Sequence, residues 1–153
     1  MNFKIAFVCK NVKDKYSGGR IHALTLAYGL CDIGNKVDYY TNIKPIFDND
    51  LSKKKYSSSF NYITNKFFNW KNLDSDYDIV FVIPHLKSRL SFVIDPKFYG
   101  FCKKLTNNSL ARMVFLDFES PNWFQSIHKG IREGSYKYSD KIIKSCEAIL
   151  STT

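Results

Sequence analysis

The sequence predicts an α/β domain built on a mostly parallel sheet with helices on both faces. Three observations carry this. Lys4–Cys9 and Asp78–Ile83 are short apolar runs without alternation, the mark of strands buried on both faces. A helical pattern over Arg20–Ile33 separates the first run from a second strand-like segment, Lys36–Thr41, giving a β-α-β unit of ordinary length. Strand and helix patterns then keep alternating along the chain. A length of 153 residues fits one domain with a single core.

The elements follow in order. After Lys4–Cys9 comes a polar loop, Lys10–Ser17, and then Gly18-Gly19. In the first helix Ile21, Leu24, Tyr28 and Cys31 share a stripe that Ala23, Leu26, Ala27 and Leu30 widen, so the helix is expected to be largely buried. Gly34-Asn35 is a helix stop. Residues 42–72 are less regular: Lys53–Lys55 and Ser57–Ser59 read as an exposed loop, Phe60–Thr64 alternates like a short strand, and Phe67, Phe68 and Trp70 form an aromatic cluster suited to a core or an interface. Pro84 stops the strand that begins at Asp78. Asp95–Leu105 reads as a helix with Pro96 in its first turn, and Ala111–Leu116 as a strand. Pro121–His128 and Gly134–Lys144 suggest further helical pieces, and Glu147–Thr152 a final strand.

Lys and Arg total 23 against 14 Asp and Glu, a formal charge of +9. That balance suits anionic partners, or simply a soluble lysine-rich surface. Lys53–Lys55 and Lys103-Lys104 read as solvated faces that could touch anionic lipid. None of Cys9, Cys31, Cys102 and Cys146 is spaced as C-x-x-C, which argues against a zinc or thioredoxin-like site; Cys9 and Cys31 sit in apolar runs as buried thiols, and a reducing, cytoplasmic compartment fits best. The N-terminal apolar stretch is too short and wrongly flanked for a signal peptide, and no run approaches the roughly 20 apolar residues of a membrane span.

The strand, loop, paired glycines and helix form a phosphate-ready device. Glycines let backbone approach an anion, and a helix N-terminus offers free N–H groups and a positive dipole end. Ser17 could cap the helix or bond a phosphate oxygen, and Arg20 adds a charge. The plainer reading of Gly18-Gly19 is a turn that needs a positive φ. A nicotinamide site is excluded twice: G-x-G-x-x-G is absent, and Tyr39-Tyr40-Thr41 supplies no acid for a ribose hydroxyl. No Gly-Lys-Ser/Thr follows, so a P-loop is excluded too.

Ser17-Gly18-Gly19-Arg20, a helix ending at Gly34-Asn35 and a strand Val37–Thr41 resemble the opening of glycosyltransferase family 4. Tyr77-Asp78-Ile79-Val80 is similar to that family's fourth strand, and Glu147-Ala148-Ile149-Leu150-Ser151 to the strand that closes its N-terminal domain. The resemblance spans nearly the whole chain. It implies a Rossmann-like domain over residues 1–153, the acceptor-binding half of a two-domain GT-B glycosyltransferase, with the donor-binding domain outside this chain and no transfer by this half alone. It also implies a nucleotide-diphosphate sugar donor, a hexosyl-type sugar moved to a glycan or lipid-linked acceptor with retention of configuration, and chemistry without a metal or other cofactor. Gly18, Gly19 and Arg20 would then approach the donor phosphates. The setting implied is cytoplasmic, at or near the inner membrane face.

Asp117-Phe118-Glu119-Ser120-Pro121-Asn122-Trp123 follows the strand 111–116, at a carboxyl end of the sheet where open α/β folds bind ligands. Asp117 and Glu119 could bond acceptor hydroxyls and Trp123 could stack on a sugar. Ser120-Pro121 also reads as an ordinary helix start. The family often carries a His after this strand, and acids stand here instead. His85, just past Pro84, is a further acceptor-side candidate. Two other classes compete. One is a non-catalytic Rossmann-like module that binds a ligand or protein. The other is charge-driven nucleic-acid binding, for which no RNA or DNA motif is present.

Overall fold

The computed structural model describes residues 2–14, 16–51, 59–65, 76–83, 96–106, 112–117 and 146–151. They form six strands, β1 Lys4–Cys9, β2 Lys36–Thr41, β3 Phe60–Thr64, β4 Ile79–Val82, β5 Arg112–Asp117 and β6 Ala148–Ser151, with helices α1 Gly18–Asp32, α2 Asp48–Leu51 and α3 Pro96–Leu105. The strands make one sheet in the order β3-β2-β1-β4-β5-β6. Every pairing is parallel. The expected parallel sheet holds, and β1 lies inside it between β2 and β4.

Parallel strands need covering on both sides, and the residues alternate between two cores. Ile5, Phe7 and Cys9 join Val37, Tyr39, Phe81 and the buried face of α1 on one side. Ala6 and Val8 join Tyr40, Val80, Val82, Met113, Phe115 and the α3 residues Phe98, Phe101, Cys102 and Leu105 on the other. The unbroken apolar runs therefore reflect burial of both strand faces. Cys9, Cys31 and Cys102 are buried and Cys146 is half-buried, and none of them is in a disulfide. Burial first, and the neighbouring Cys146 next, push the Cys102 thiol far above its ordinary range; burial lifts Cys146 to about 11.

The helix stop works as expected. Ile33 is the C-cap, Gly34 takes φ +96, and Gly34 and Asn35 donate backbone N–H groups to Cys31 O (2.9 Å) and Leu30 O (3.2 Å). This is a Schellman ending. The Asn35 side chain adds a donation to Leu30 O (2.8 Å) and accepts the Phe3 N–H (2.9 Å), so the same residue that ends α1 aligns β2 with β1.

The boundaries differ in two informative places. The first helix starts at Gly18, not Arg20, so the paired glycines are its first turn and not part of the loop. Among the described residues neither glycine has a positive φ, which removes the reading of a turn needing one. The fifth strand begins and ends one residue later than expected, with Asp117 its last residue, opposite Ser151. The short helix α2, in the irregular stretch after β2, was not foreseen. The helical pieces expected at 121–128 and 134–144, and the cluster Phe67, Phe68 and Trp70, lie outside the described residues.

Candidate functional site

In this strand order the chain leaves β1 toward β2 on one side and later returns to β4 on the other. The strand sequence reverses at β1, and the crevice past the carboxyl ends of β1 and β4 is the topological switch point where open α/β sheets take ligands. The β1–α1 loop opens directly onto it.

At this edge α1 presents an N-terminus without a side-chain cap. Ser17 has the extended backbone of an N-cap residue (φ −143, ψ 121), yet its side chain makes no capping bond. Its hydroxyl instead accepts from Arg20 Nη1 (3.0 Å), while Arg20 Nε donates to Lys10 O (2.8 Å). Ser17 as a cap is thus corrected: Arg20 has drawn the hydroxyl away. The first turn carries no acid, and Ile21 N–H to Ser17 O (2.9 Å) opens the helical ladder. Gly18 is exposed, and a Cβ built there would meet nothing within 4 Å; Gly19 is buried and Arg20 half-buried. The result is a smooth, positively polarised helix end at the crevice.

The loop is held from its other side by a polar cluster of Asn11, Thr41, Asn42 and Ile43. Asn11 is 4% exposed, and its amide donates to Thr41 Oγ1 (2.7 Å) and Ile43 O (3.2 Å). Asn11 N–H donates to Asn42 Oδ1 (2.7 Å), and Asn42 Nδ2 returns a bond to Asn11 O (2.9 Å). Beyond Asn42, the exposed Tyr16 ring lies 6.1 Å from the Phe47 ring, joining the loop to the segment leading into α2.

Behind that segment is a buried carboxylate. Asp48 is 1% exposed, accepts from the Tyr28 and Tyr62 hydroxyls, the latter at 2.6 Å, and pairs with Lys44 at 2.8 Å. Burial alone would raise this carboxyl; the hydrogen bonds from Lys44, Tyr28 and Tyr62 outweigh it and hold the carboxyl below its ordinary range. Burial, then the bonds to Asp48 and Tyr28, push the Tyr62 phenol far up, so it remains a donor. A similar tie on the opposite face joins Asp38 to Tyr77 (2.8 Å) and Asn61 (3.0 Å). These satisfied networks read as structural clasps.

The structure brings Gly18, Gly19 and Arg20 together at the end of β1 and puts Asp117 on the same edge, two strands away across β4. Neighbouring strands lie about 4.8 Å apart, so that separation is roughly 10 Å. His85, Glu119 and Trp123 lie outside the described residues. The sequence reading missed Asn11, Asn42 and Asp48. A usable signal for the first two was a pair of amides just past two strands expected to be adjacent and parallel; nothing local marks Asp48. Among the described residues no group of three or more His, Cys, Asp or Glu could hold a metal ion, and no helix is long and apolar enough to cross a membrane.

The sequence matches no protein-family model, and no curated protein matches it. Among solved structures the chain is similar to an α-glucosyltransferase captured with UDP and a 13-mer DNA containing an HMU base, with a TM-score of 0.57 at 12% identity. The likeness covers 99% of this chain and 38% of the other, so the chain spans well under half of that protein's length. At this identity the shared property is the fold: a Rossmann-like α/β domain.

Proposed function

We propose that this chain is the N-terminal, acceptor-side domain of a sugar-nucleotide-dependent glycosyltransferase of the GT-B type. The observation that carries the reading is the uncapped, glycine-faced first turn of α1, placed by strand order at the switch point of the sheet. The glycosyltransferase fold supports it, as does UDP in the similar structure. Transfer breaks the bond between the sugar's anomeric carbon and the diphosphate and forms one to an acceptor hydroxyl oxygen, whose proton passes to a base. Charge builds on the departing diphosphate, and free N–H groups at a helix end stabilise that charge where it develops. Gly18 and Gly19 would let the phosphates reach the backbone, with Arg20 shaping the turn. Asp117, and His85, Glu119 and Trp123 from the sequence reading, are the acceptor-side candidates. A donor-binding second domain outside these residues, retention of configuration and a cytoplasmic site of action at the inner membrane face belong to the same proposal.

The acceptor proposed is a glycan or lipid-linked hydroxyl. A nucleic-acid acceptor is the second reading, favoured by the +9 charge and by the DNA in the similar structure. Titrating UDP into the full-length protein, donor-binding domain included, and into its Gly18→Val variant tests the donor site. Because Gly18 faces open space, the variant is expected to keep its melting temperature within about 4 °C. UDP should bind tenfold to a hundredfold more weakly, on the order of one or two charge-assisted hydrogen bonds. Unchanged UDP affinity in the folded variant would remove the first turn from the site. Turnover of UDP-sugars by the full-length protein on glycan, lipid-linked and duplex DNA acceptors then separates the two acceptor readings.

A further inference from the structure

We infer that Asn42 and Asn11 are positioning residues that hold the β1–α1 loop on the β2 side of the sheet edge and so keep the β1–β4 crevice open for the donor phosphates; this rests on the glycosyltransferase reading above. The β1–β2 ladder runs from Lys4↔Lys36 to Cys9↔Thr41 and stops there. One step further, a side chain takes over from the backbone. The Asn42 amide closes on both backbone groups of Asn11, accepting its N–H at 2.7 Å and donating to its C=O at 2.9 Å. Asn11 then reaches back to Thr41 Oγ1 and Ile43 O, at 2.7 and 3.2 Å, and Thr41 Oγ1 donates to the same carbonyl at 2.8 Å.

Six residue pairs already fix β1 against β2, so the fold of the sheet does not need this tie. What it orders is the loop. Asn42 follows β2, on the far side of β1 from β4, so its pull on Asn11 draws the chain away from the crevice. Arg20 anchors the neighbouring residue through Lys10 O at 2.8 Å. The loop leaves β1 held at two successive residues by side chains from β2's end and from α1. Rigid support of this kind lowers the ordering cost of binding.

The test compares, in the full-length protein, wild type with Asn42→Leu, which keeps the size of the side chain and removes both bonds to Asn11. UDP is titrated calorimetrically into each, and thermal unfolding is followed on the same preparations. UDP should bind about tenfold more weakly to the variant, the scale of loss seen when supporting partners of a ligand site are removed. The melting temperature should move by no more than about 4 °C. If Asn42→Leu does not fold, Asn42→Gln retains the amide with the wrong reach and is expected to show the same loss. Wild-type UDP affinity in a folded variant, or a loss that only tracks the unfolded fraction, overturns the positioning role and leaves the donor site standing. Failure of the wild-type protein to bind UDP overturns both.

Discussion

Asp48→Asn isolates the charge of the clasp between α2, α1 and β3. The substitution keeps the shape of a side chain that is 1% exposed and leaves an oxygen to accept from Tyr28 and Tyr62. It removes the charge that strengthens those bonds and the pairing with Lys44 at 2.8 Å. Hydrogen bonds to charged groups contribute about 1.5–3 kcal/mol against about 1 for neutral ones, so each tyrosine bond loses roughly 1 kcal/mol. Lys44 is 57% exposed and stays hydrated when its partner is neutral, so that pair adds at most about 1 kcal/mol. The total is about 2–3 kcal/mol, or roughly 4–12 °C in melting temperature for a domain of this size. The effect has a pH signature. Hydrogen bonding places the folded-state pKa of Asp48 below its ordinary value. The stabilisation is therefore present above the unfolded carboxylate pKa, about 3.9, and is lost as pH falls through the folded-state value. Thermal unfolding of wild type and variant from pH 7 downward should show a gap that is full at pH 7 and narrows in acid. A gap below about 2 °C at pH 7, or one that widens on acidification, would refute this account of the clasp.

Two further substitutions address the scaffold. Gly34→Ala forces a side chain into φ +96, although the nearest atom to its Cβ, Asn2 Oδ1, is an unstrained 3.6 Å away; the backbone cost of about 1–2 kcal/mol should lower the melting temperature by roughly 2–8 °C, and a melt unchanged from wild type would contradict the Schellman ending. Tyr39→Phe removes a fully buried hydroxyl that, among the described residues, has no partner beyond a weak contact with the Cys9 thiol, so the variant should be as stable as wild type or more stable by up to about 1–3 kcal/mol, and a clear loss in denaturant unfolding would show that the Cys9 contact holds the hydroxyl.

The sequence alone determined the parts whose cause is local or periodic. Unbroken apolar runs at Lys4–Cys9 and Asp78–Ile83 required two covered faces, and the α1 and α3 cores cover them. Gly34-Asn35 ended the first helix because only glycine takes the positive φ cheaply, and the hydrogen bonds of the turn follow from that. With alternation of strand and helix, these sufficed for a mostly parallel sheet covered on both faces. Tertiary structure alone decided what happens at the sheet's edge. Ser17 before Gly18 reads as a cap in any local window, but Arg20, anchored on Lys10 O, takes its hydroxyl. The Asn11–Asn42 tie joins residues 31 apart and exists only because β1 and β2 end side by side. Asp48 sits in a stretch with no clear period and finds Tyr28 and Tyr62, 20 positions before it and 14 after it, once α1 and β3 have packed on one face. Periodicity reports which faces are buried; it carries no information about which polar groups meet across elements, because that depends on strand order and on where each strand stops.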